Sequence, residues 1–354
     1  MLAIDLPTPV ASTGAAATTA LPSPARLREV LPLDAVAAAT VGAGRAAIRD
    51  VLAGRDPRWI VIAGPCSLHD PAETLRYAAL LARVAERHRD ALVVAMRCYV
   101  EKPRTTLGWK GLVHDPGLDG TGDLARGLAL SRALMLEIAR LGLPVATELL
   151  DPIVARYLED AVAWGSIGAR TAHSQTHREL ASGHPAPIGV KNAPDGDVQS
   201  AIDAVSAARA EHTALSVDPD GRVAALLTPG NDAAHIVLRG GSAGPNHAAD
   251  VVQSAGDAIA RSDAERGVLV DCSHGNSRKD PTRQPTVARE LLTDRPSRLA
   301  GVLIESNLRP GRQSWSTGER PEPGLSITDA CLGWLETKRL IDEVAAAARR
   351  ALTG

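Results

Sequence analysis

The apolar run WIVIAG, residues 59–64, is followed at once by Pro65 and Cys66, with His69 three residues further on. A cysteine at such a place can be a nucleophile, half of a disulfide, a metal ligand or a small packing residue. Seven other apolar runs end on, or carry near their ends, residues able to do chemistry. ALVVAMR ends on Arg97, PVATEL carries Glu148, SIGAR ends on Arg170, PIGVK on Lys191, AHIVLRG carries Arg239, GVLVDCSH ends on His274 and GVLIES carries Glu305. Arg97, Arg170, Lys191 and Arg239 are cations, and an isolated buried charge is strongly disfavoured, so their convergence would call for a polyanionic ligand. Arginine meets carboxylate or phosphate through two parallel bonds and lysine adds a point charge. Pairing of each cation with a neighbouring acid is the plainer alternative. Cys66, His274 and Glu305, with Asp329 of SITDA, supply a thiolate, an imidazole and two carboxylates, a mixture suited to one divalent ion such as Mn, Fe, Co or Zn. They are dispersed along the chain, so only a shared place in the fold can unite them.

The elements needed to bring these residues together are legible. Beyond about residue 45, short apolar runs bounded by Gly, Pro or Asp alternate with segments of helical period, the pattern of a parallel sheet with crossover helices. The runs named above make eight strands. Between them DPAETLRYAALLARVAERH, DLARGLALSRALMLEIARLG, DPIVARYLEDAVAWG, DVQSAIDAVSAARAEH and HAADVVQSAGDAIARS read as helices, several opening with an Asp able to cap the first turn. Eight repeats in about 300 residues point to an α/β fold of the (β/α)8 barrel type, in which the chemistry lies at the C-terminal ends of the strands. HTALSVDPDGRVAALLTPGND departs from the repeat and reads as an inserted β-hairpin, about 211–232, before the sixth strand. SITDACLGWLETKRLIDEVAAAARRAL reads as a closing amphipathic helix. The expected organisation is a flexible tail at 1–25, an N-terminal extension at 26–50 and the barrel at 51–354.

Composition narrows the function classes. The 354 residues are 45% hydrophobic and 23% charged, close to globular averages. With 39 basic and 41 acidic side chains the formal charge is −2, which removes the electrostatic footprint of a nucleic-acid binder. Any anion must therefore be held by a local cluster. No run of 18 apolar residues exists to span a membrane, and MLAIDLPTPV lacks the basic start of a signal peptide. Four widely spaced cysteines do not form a disulfide framework, which favours a reducing cytoplasm.

Taken in order, GPCSLHD, MRCYVEKPRTTLGWKGLVHDP, IGARTAHSQTHRELASG, IGVKN, HIVLRGG, VDCSHGNS, VLIES and SITDACLGW closely resemble the type I, metal-dependent 3-deoxy-D-arabino-heptulosonate 7-phosphate (DAHP) synthases. The resemblance runs from about residue 26 to the last helix, and the KPRTT-GWKG block is its most specific part. It implies a barrel enzyme that condenses phosphoenolpyruvate with erythrose 4-phosphate and water, releasing phosphate, in the first step of the shikimate pathway. It implies that Cys66, His274, Glu305 and Asp329 hold the metal, that Arg97, Lys102, Arg170, Lys191 and Arg239 hold phosphoenolpyruvate with Glu148 nearby, and that Arg104 and Thr105 hold the sugar phosphate. Asp329 is further expected beside the sugar, Lys102 as a proton donor or orienting group, and Glu148 or the metal as activator of the water. A homodimer or homotetramer is expected. A barrel acting on an amino-substituted erythrose phosphate, or a silent regulatory barrel, are the alternatives; the intact ligands and cations argue against silence.

Other residues have plainer readings. His69 is expected to be a loop hydrogen-bonder, Cys98 and Cys272 strand packers, with Cys272 a candidate oxidation partner for Cys66. Trp109, Lys110, His114 and Asp115 lie in a long loop that either covers the substrate or forms a rigid turn. His173 and His177 have the spacing of a helical metal pair but are read as loop and helix-surface residues. Relatives are commonly inhibited by an aromatic amino acid through the N-terminal extension and hairpin. The Ala/Thr/Pro-rich tail, with Asp5 its one acid, lacks the set of acidic residues expected to help hold an ammonium group, so weak or absent inhibition is expected, as would suit supply of a secondary-metabolite pathway.

Overall fold

A computed structural model describes residues 18–353, so part of the expected tail at 1–25 lies outside the described residues. Eight parallel strands close into a barrel: β1 (Trp59–Gly64), β2 (Leu92–Arg97), β3 (Val145–Leu149), β4 (Trp164–Ile167), β5 (Ile188–Lys191), β8 (His235–Leu238), β9 (Val268–Asp271) and β10 (Leu299–Asn307). β10 returns to pair with β1, Ile62 opposite Leu303 and Gly64 opposite Glu305. Helices α3 (Pro71–Arg87), α4 (Leu124–Arg140), α5 (Pro152–Leu158), α6 (Gln175–Gly183), α7 (Gln199–Ala208), α8 (Ala249–Asp257) and α9 (Gln284–Asp294) fill the crossovers. Asp70, Asp123 and Asp151 accept backbone N–H bonds at the starts of α3, α4 and α5, the caps their positions predict.

Strand alternation divides the apolar residues between two compartments. Val61, Val94, Val270 and their outward neighbours pack on the helices. Ile60, Ile62, Val93, Ala95, Ala146, Trp164, Val237, Leu269 and Leu303 form a separate cluster, joined by Ile48, Val51 and Leu52 from α2 (Ala35–Leu52). The end of α2 is therefore packed with the barrel-interior residues, and the helix runs across residue 50, where the extension was expected to give way to the barrel. The short α1 (Pro24–Val30) precedes it.

The inserted segment forms the antiparallel hairpin β6 (His212–Val217) and β7 (Val223–Thr228), with Leu215, Val223 and Leu227 exposed on one face. Two boundaries differ from expectation. Trp164 and Gly165, read as the end of a helix, open β4, because the helix stops in a single 3-10 turn at Glu159–Ala161 and Trp164 is needed inside the barrel. The closing helix α10 (Trp334–Thr353) begins later than expected: Leu332–Gly333 forms a short strand, β11, along the end of β10, and the residues before it are loop.

Trp164 Nε1 donates to His235 Nε2 at 3.1 Å, while His235 Nδ1 lies 2.9 Å from Ala233 O, so the neutral imidazole satisfies both contacts. Burial pushes the His235 imidazole down to about 4, helped by nearby Arg209. A histidine lowered on folding contributes stability that is complete above its ordinary value near 6.5 and is lost as pH falls from there toward 4. Thermal unfolding of wild type and His235→Gln between pH 7 and 4 should show the wild type losing up to about 3 kcal/mol more, from about 1.4 kcal/mol per pH unit. Equal acid sensitivity would remove His235 as the cause.

Candidate active site

The C-terminal ends of the strands open into a cavity of about 600 Å³ lined by residues of many strands and loops, among them Lys102, Arg170, Lys191, Arg239, His274 and Asp329. Arg97, the last residue of β2, is fully buried, and its Nη2 donates to Glu305 Oε1 of β10 at 2.8 Å. The two reach each other across β1, whose residue between them is Gly64. A Cβ there would lie 2.9 Å from Arg97 O and 3.0 Å from Arg97 Cβ, and Gly64 has φ 155°, so both space and backbone demand glycine. Arg97 Nη1 is buried without a hydrogen-bond partner. Burial alone would lower its guanidinium, but neighbouring Tyr99, Glu305 and Asp271 outweigh it and the charge is held firmly.

Lys191, at the end of β5, makes a very close ion pair with Glu148 of β3. Burial raises a carboxyl, but Lys191, with Lys102 and His274 at longer range, holds Glu148 below its ordinary value. Arg239 follows β8 directly and is half-buried, anchored by its own N–H on Asn192 Oδ1 at 2.7 Å. Arg170 lies three residues beyond β4 rather than at its end; it is exposed, with Nη2 donating to Thr105 Oγ1 at 3.1 Å. Arg104 is also exposed and donates through Nε to Trp109 O at 2.8 Å.

Cys66 Sγ and oxygens of Glu305 and Asp329 all lie within 4.8 Å of one another, a set that could hold a metal ion. Glu305 is fixed on both backbone sides by buried Gln284, which accepts from its N–H at 2.8 Å and donates to its C=O at 2.9 Å. Asp329 is carried by the loop before β11, tied to the Cys66 turn by Ser67 Oγ and Thr328 Oγ1 at 2.8 Å. His274 stands beside the cluster with Nε2 3.7 Å from Glu305 Oε1. Its Nδ1 is 2.9 Å from Asp271 Oδ2, which orients the ring and directs Nε2 inward. The His274 backbone has φ 55°, a left-handed turn rare for such a residue. Lys102 Nζ donates to Cys66 Sγ at 3.0 Å. Burial pushes the Cys66 thiol up to about 11, and the charges of Glu305 and Asp329 add to it against Lys102.

Asp271, Gln284, Tyr99 and Cys331 had no part in the site read from sequence. Asp271 alone left a signal, an acid three residues before His274 at the end of an apolar run. The thiol beside Cys66 is Cys331, bonded to the Cys66 backbone, rather than Cys272, whose thiol is raised by burial and Asp271. All four cysteines are free and buried. His69, expected as a loop hydrogen-bonder, is buried, and its Nδ1 lacks a partner. His177 bonds Ser174 and Leu150 O, a local structural role. Of the long loop, Pro103–Leu107 line the cavity, while Trp109 is buried with Nε1 donating to Asp115 O at 3.0 Å.

A (β/α)8 barrel with acids and cations converging on one cavity at its C-terminal mouth has the architecture of a barrel enzyme. Residues 32–342 match the DAHP synthetase I family, and the chain belongs to that family. It is 45% identical over 332 residues, 92% of each chain, to the Tyr-sensitive phospho-2-dehydro-3-deoxyheptonate aldolase of Escherichia coli. The Phe-sensitive aldolase of the same organism is 44% identical over 329 residues, covering 92% of this chain and 94% of its own. A solved structure of phospho-2-dehydro-3-deoxyheptonate aldolase from Francisella tularensis superposes with a TM-score of 0.90 at 40% identity, covering 94% of this chain and 98% of that one.

The contact across β1 gives a direct test of the site's construction. Gly64→Ala should cost about 1–3 kcal/mol in denaturant unfolding, the range for overpacking and backbone strain. An unchanged midpoint would show that β1 yields to the added Cβ.

Proposed function

We propose that the chain is a DAHP synthase, joining phosphoenolpyruvate to erythrose 4-phosphate with water to give 3-deoxy-D-arabino-heptulosonate 7-phosphate and phosphate. The observation that carries the reading to these residues is the buried Arg97 whose Nη1 has no protein partner. Leaving such a donor unsatisfied costs about 1–3 kcal/mol, and an anion in the mouth relieves it. Phosphoenolpyruvate has a carboxylate and a phosphate on one carbon, which suits Arg97, Lys102, Lys191, Arg170 and Arg239 as a converging clamp. Arg104 and Thr105 hold the phosphate of the sugar.

The donor set of Cys66, Glu305 and Asp329, with His274 beside it, fits one divalent cation of the Mn, Fe, Co or Zn kind, since clustered negative charge here is relieved by a cation. Such an ion, when bound, supplies Lewis acidity toward the aldehyde oxygen. The clamp fixes one face of the enol so that carbon 3 attacks the aldehyde carbon. Lys102, held charged by its acidic neighbours against burial, gives a proton to the developing alkoxide. Glu148 takes a proton from the water that adds at carbon 2, and the C–O bond to phosphate then breaks with the electron pair leaving on phosphate, which takes up the carbon-2 hydroxyl proton as the ketone forms. Arg170 and Arg239 steady the departing dianion.

A homodimer or homotetramer in the cytoplasm completes the proposal; among the described residues no helix is long and apolar enough to cross a membrane. Weak or absent inhibition by phenylalanine, tyrosine or tryptophan is also proposed, from the tail composition. Strong inhibition at sub-millimolar levels would overturn that part.

Purified protein should release phosphate from the two substrates with added Mn, Fe, Co or Zn, lose the activity on chelation and regain it on metal return. Absence of release under every metal would overturn the function. Cys66→Ala should lose at least about 100-fold in activity while keeping its circular dichroism spectrum. Asp271→Asn should weaken metal binding about 10–100-fold by equilibrium dialysis; unchanged affinity would free His274 from the ligand set.

A further inference from the structure

Tyr99 follows β2 and lies in the floor of the mouth, only 2% exposed. Arg97 Cζ stands 4.0 Å from its ring centroid and Lys191 Nζ 4.9 Å from the same centroid. Both distances lie within cation–π range, where a ring face attracts a cation most strongly once water is excluded. The residue is tied at two points, one on its side chain and one on its backbone. Its hydroxyl is 3.4 Å from Ser166 Oγ of β4. Its carbonyl accepts from Leu68 N at 3.0 Å, which links it to the Cys66 turn.

Arg97 and Lys191 carry like charges in the same small space, and each is paired with its own acid, Glu305 and Glu148 respectively. A neutral ring that attracts both supplies a counterweight without adding a third carboxylate, which would compete with an anionic ligand. Composition sharpens the point. Only 2% of the chain is aromatic, with no Phe and three Tyr. Tyr77 packs edge-on against Trp334, and Tyr157 donates to Pro22 O. Tyr99 alone of the three sets its ring against two cations.

We propose that Tyr99 is a positioning residue for phosphoenolpyruvate: its ring holds both Arg97 and Lys191 in place, so that the pair meets the ligand's anionic groups without first rearranging. The role acts through the two cations, with no bond made or broken at Tyr99. It rests on the proposed clamp, and the experiment separates the two.

The steady-state KM for each substrate and kcat are measured for wild type, Tyr99→Phe and Tyr99→Leu under saturating metal. Tyr99→Phe keeps the ring and should stay within about twofold of wild type. Tyr99→Leu should raise KM for phosphoenolpyruvate about tenfold, equivalent to about 1.4 kcal/mol, and leave KM for erythrose 4-phosphate and the metal requirement in place. Tyr99→Met carries the same test should the leucine variant be insoluble. An equal defect in Tyr99→Phe, a rise in both KM values together, or no rise at all would overturn the role of the ring. A wild type that releases no phosphate from the two substrates would overturn the functional reading beneath it, whereas an active wild type with an unaltered Tyr99→Leu would overturn the positioning role alone.

Discussion

Opposite charges buried in contact at the open end of the barrel are the constraint on which the rest depends. Arg97 with Glu305 and Lys191 with Glu148 are each held on strands, and removing one member would leave its partner charged in a dry site, a loss of about 3–5 kcal/mol. Such pairs contribute little net stability when both members are present, because desolvation offsets attraction. What they contribute is geometry: charged groups stay fixed where a ligand must find them. The strands supply the rigidity, and the lower end of the barrel, filled by Ile48, Val51 and Leu52 from α2, keeps the strands from shifting beneath the mouth.

The site is built in two halves that share this frame. On one side Cys66, Glu305, Asp329 and His274 gather negative charge and lone pairs; on the other Arg97, Lys191, Arg239 and Arg170 gather positive charge. Glu305 belongs to both, accepting from Arg97 while lying beside Cys66 and Asp329. Lys102 also bridges them, since it hangs from the loop after β2 and donates to Cys66. A change in one half is therefore felt electrostatically in the other. The supporting residues follow the same economy: Gln284 holds the Glu305 backbone, Asp271 the His274 ring and Ser67 with Thr328 the loop of Asp329.

The alternation of apolar runs and helical segments made the barrel and its inserted hairpin legible, because a buried parallel strand must be apolar along its length. Element ends were less legible. Trp164 in WGSI joins the strand because a large ring is needed inside the barrel, a demand invisible in a helical period that continues through YLEDAVAWG. Helix α2 leaves little trace in the sequence because AVAAATVGAGRAAI has little contrast between faces; its value lies in contacts with strands that follow it. Arg170, at the end of the run SIGAR, lies three residues past β4 in a turn that the run itself does not mark.

By itself, the sequence determined which chemical groups are available, their order along the chain, and their recurrence at the ends of apolar runs that must become neighbouring strands. It determined, too, the family, since motifs such as KPRTT and GWKG are local strings. Only the tertiary structure decided which groups touch. Arg97 meets Glu305, and Cys66 meets Asp329 and Cys331, across separations of more than 200 residues that no local pattern encodes. Those contacts exist because β10 closes against β1 in one register, with a residue lacking a side chain at Gly64 to let the arginine through.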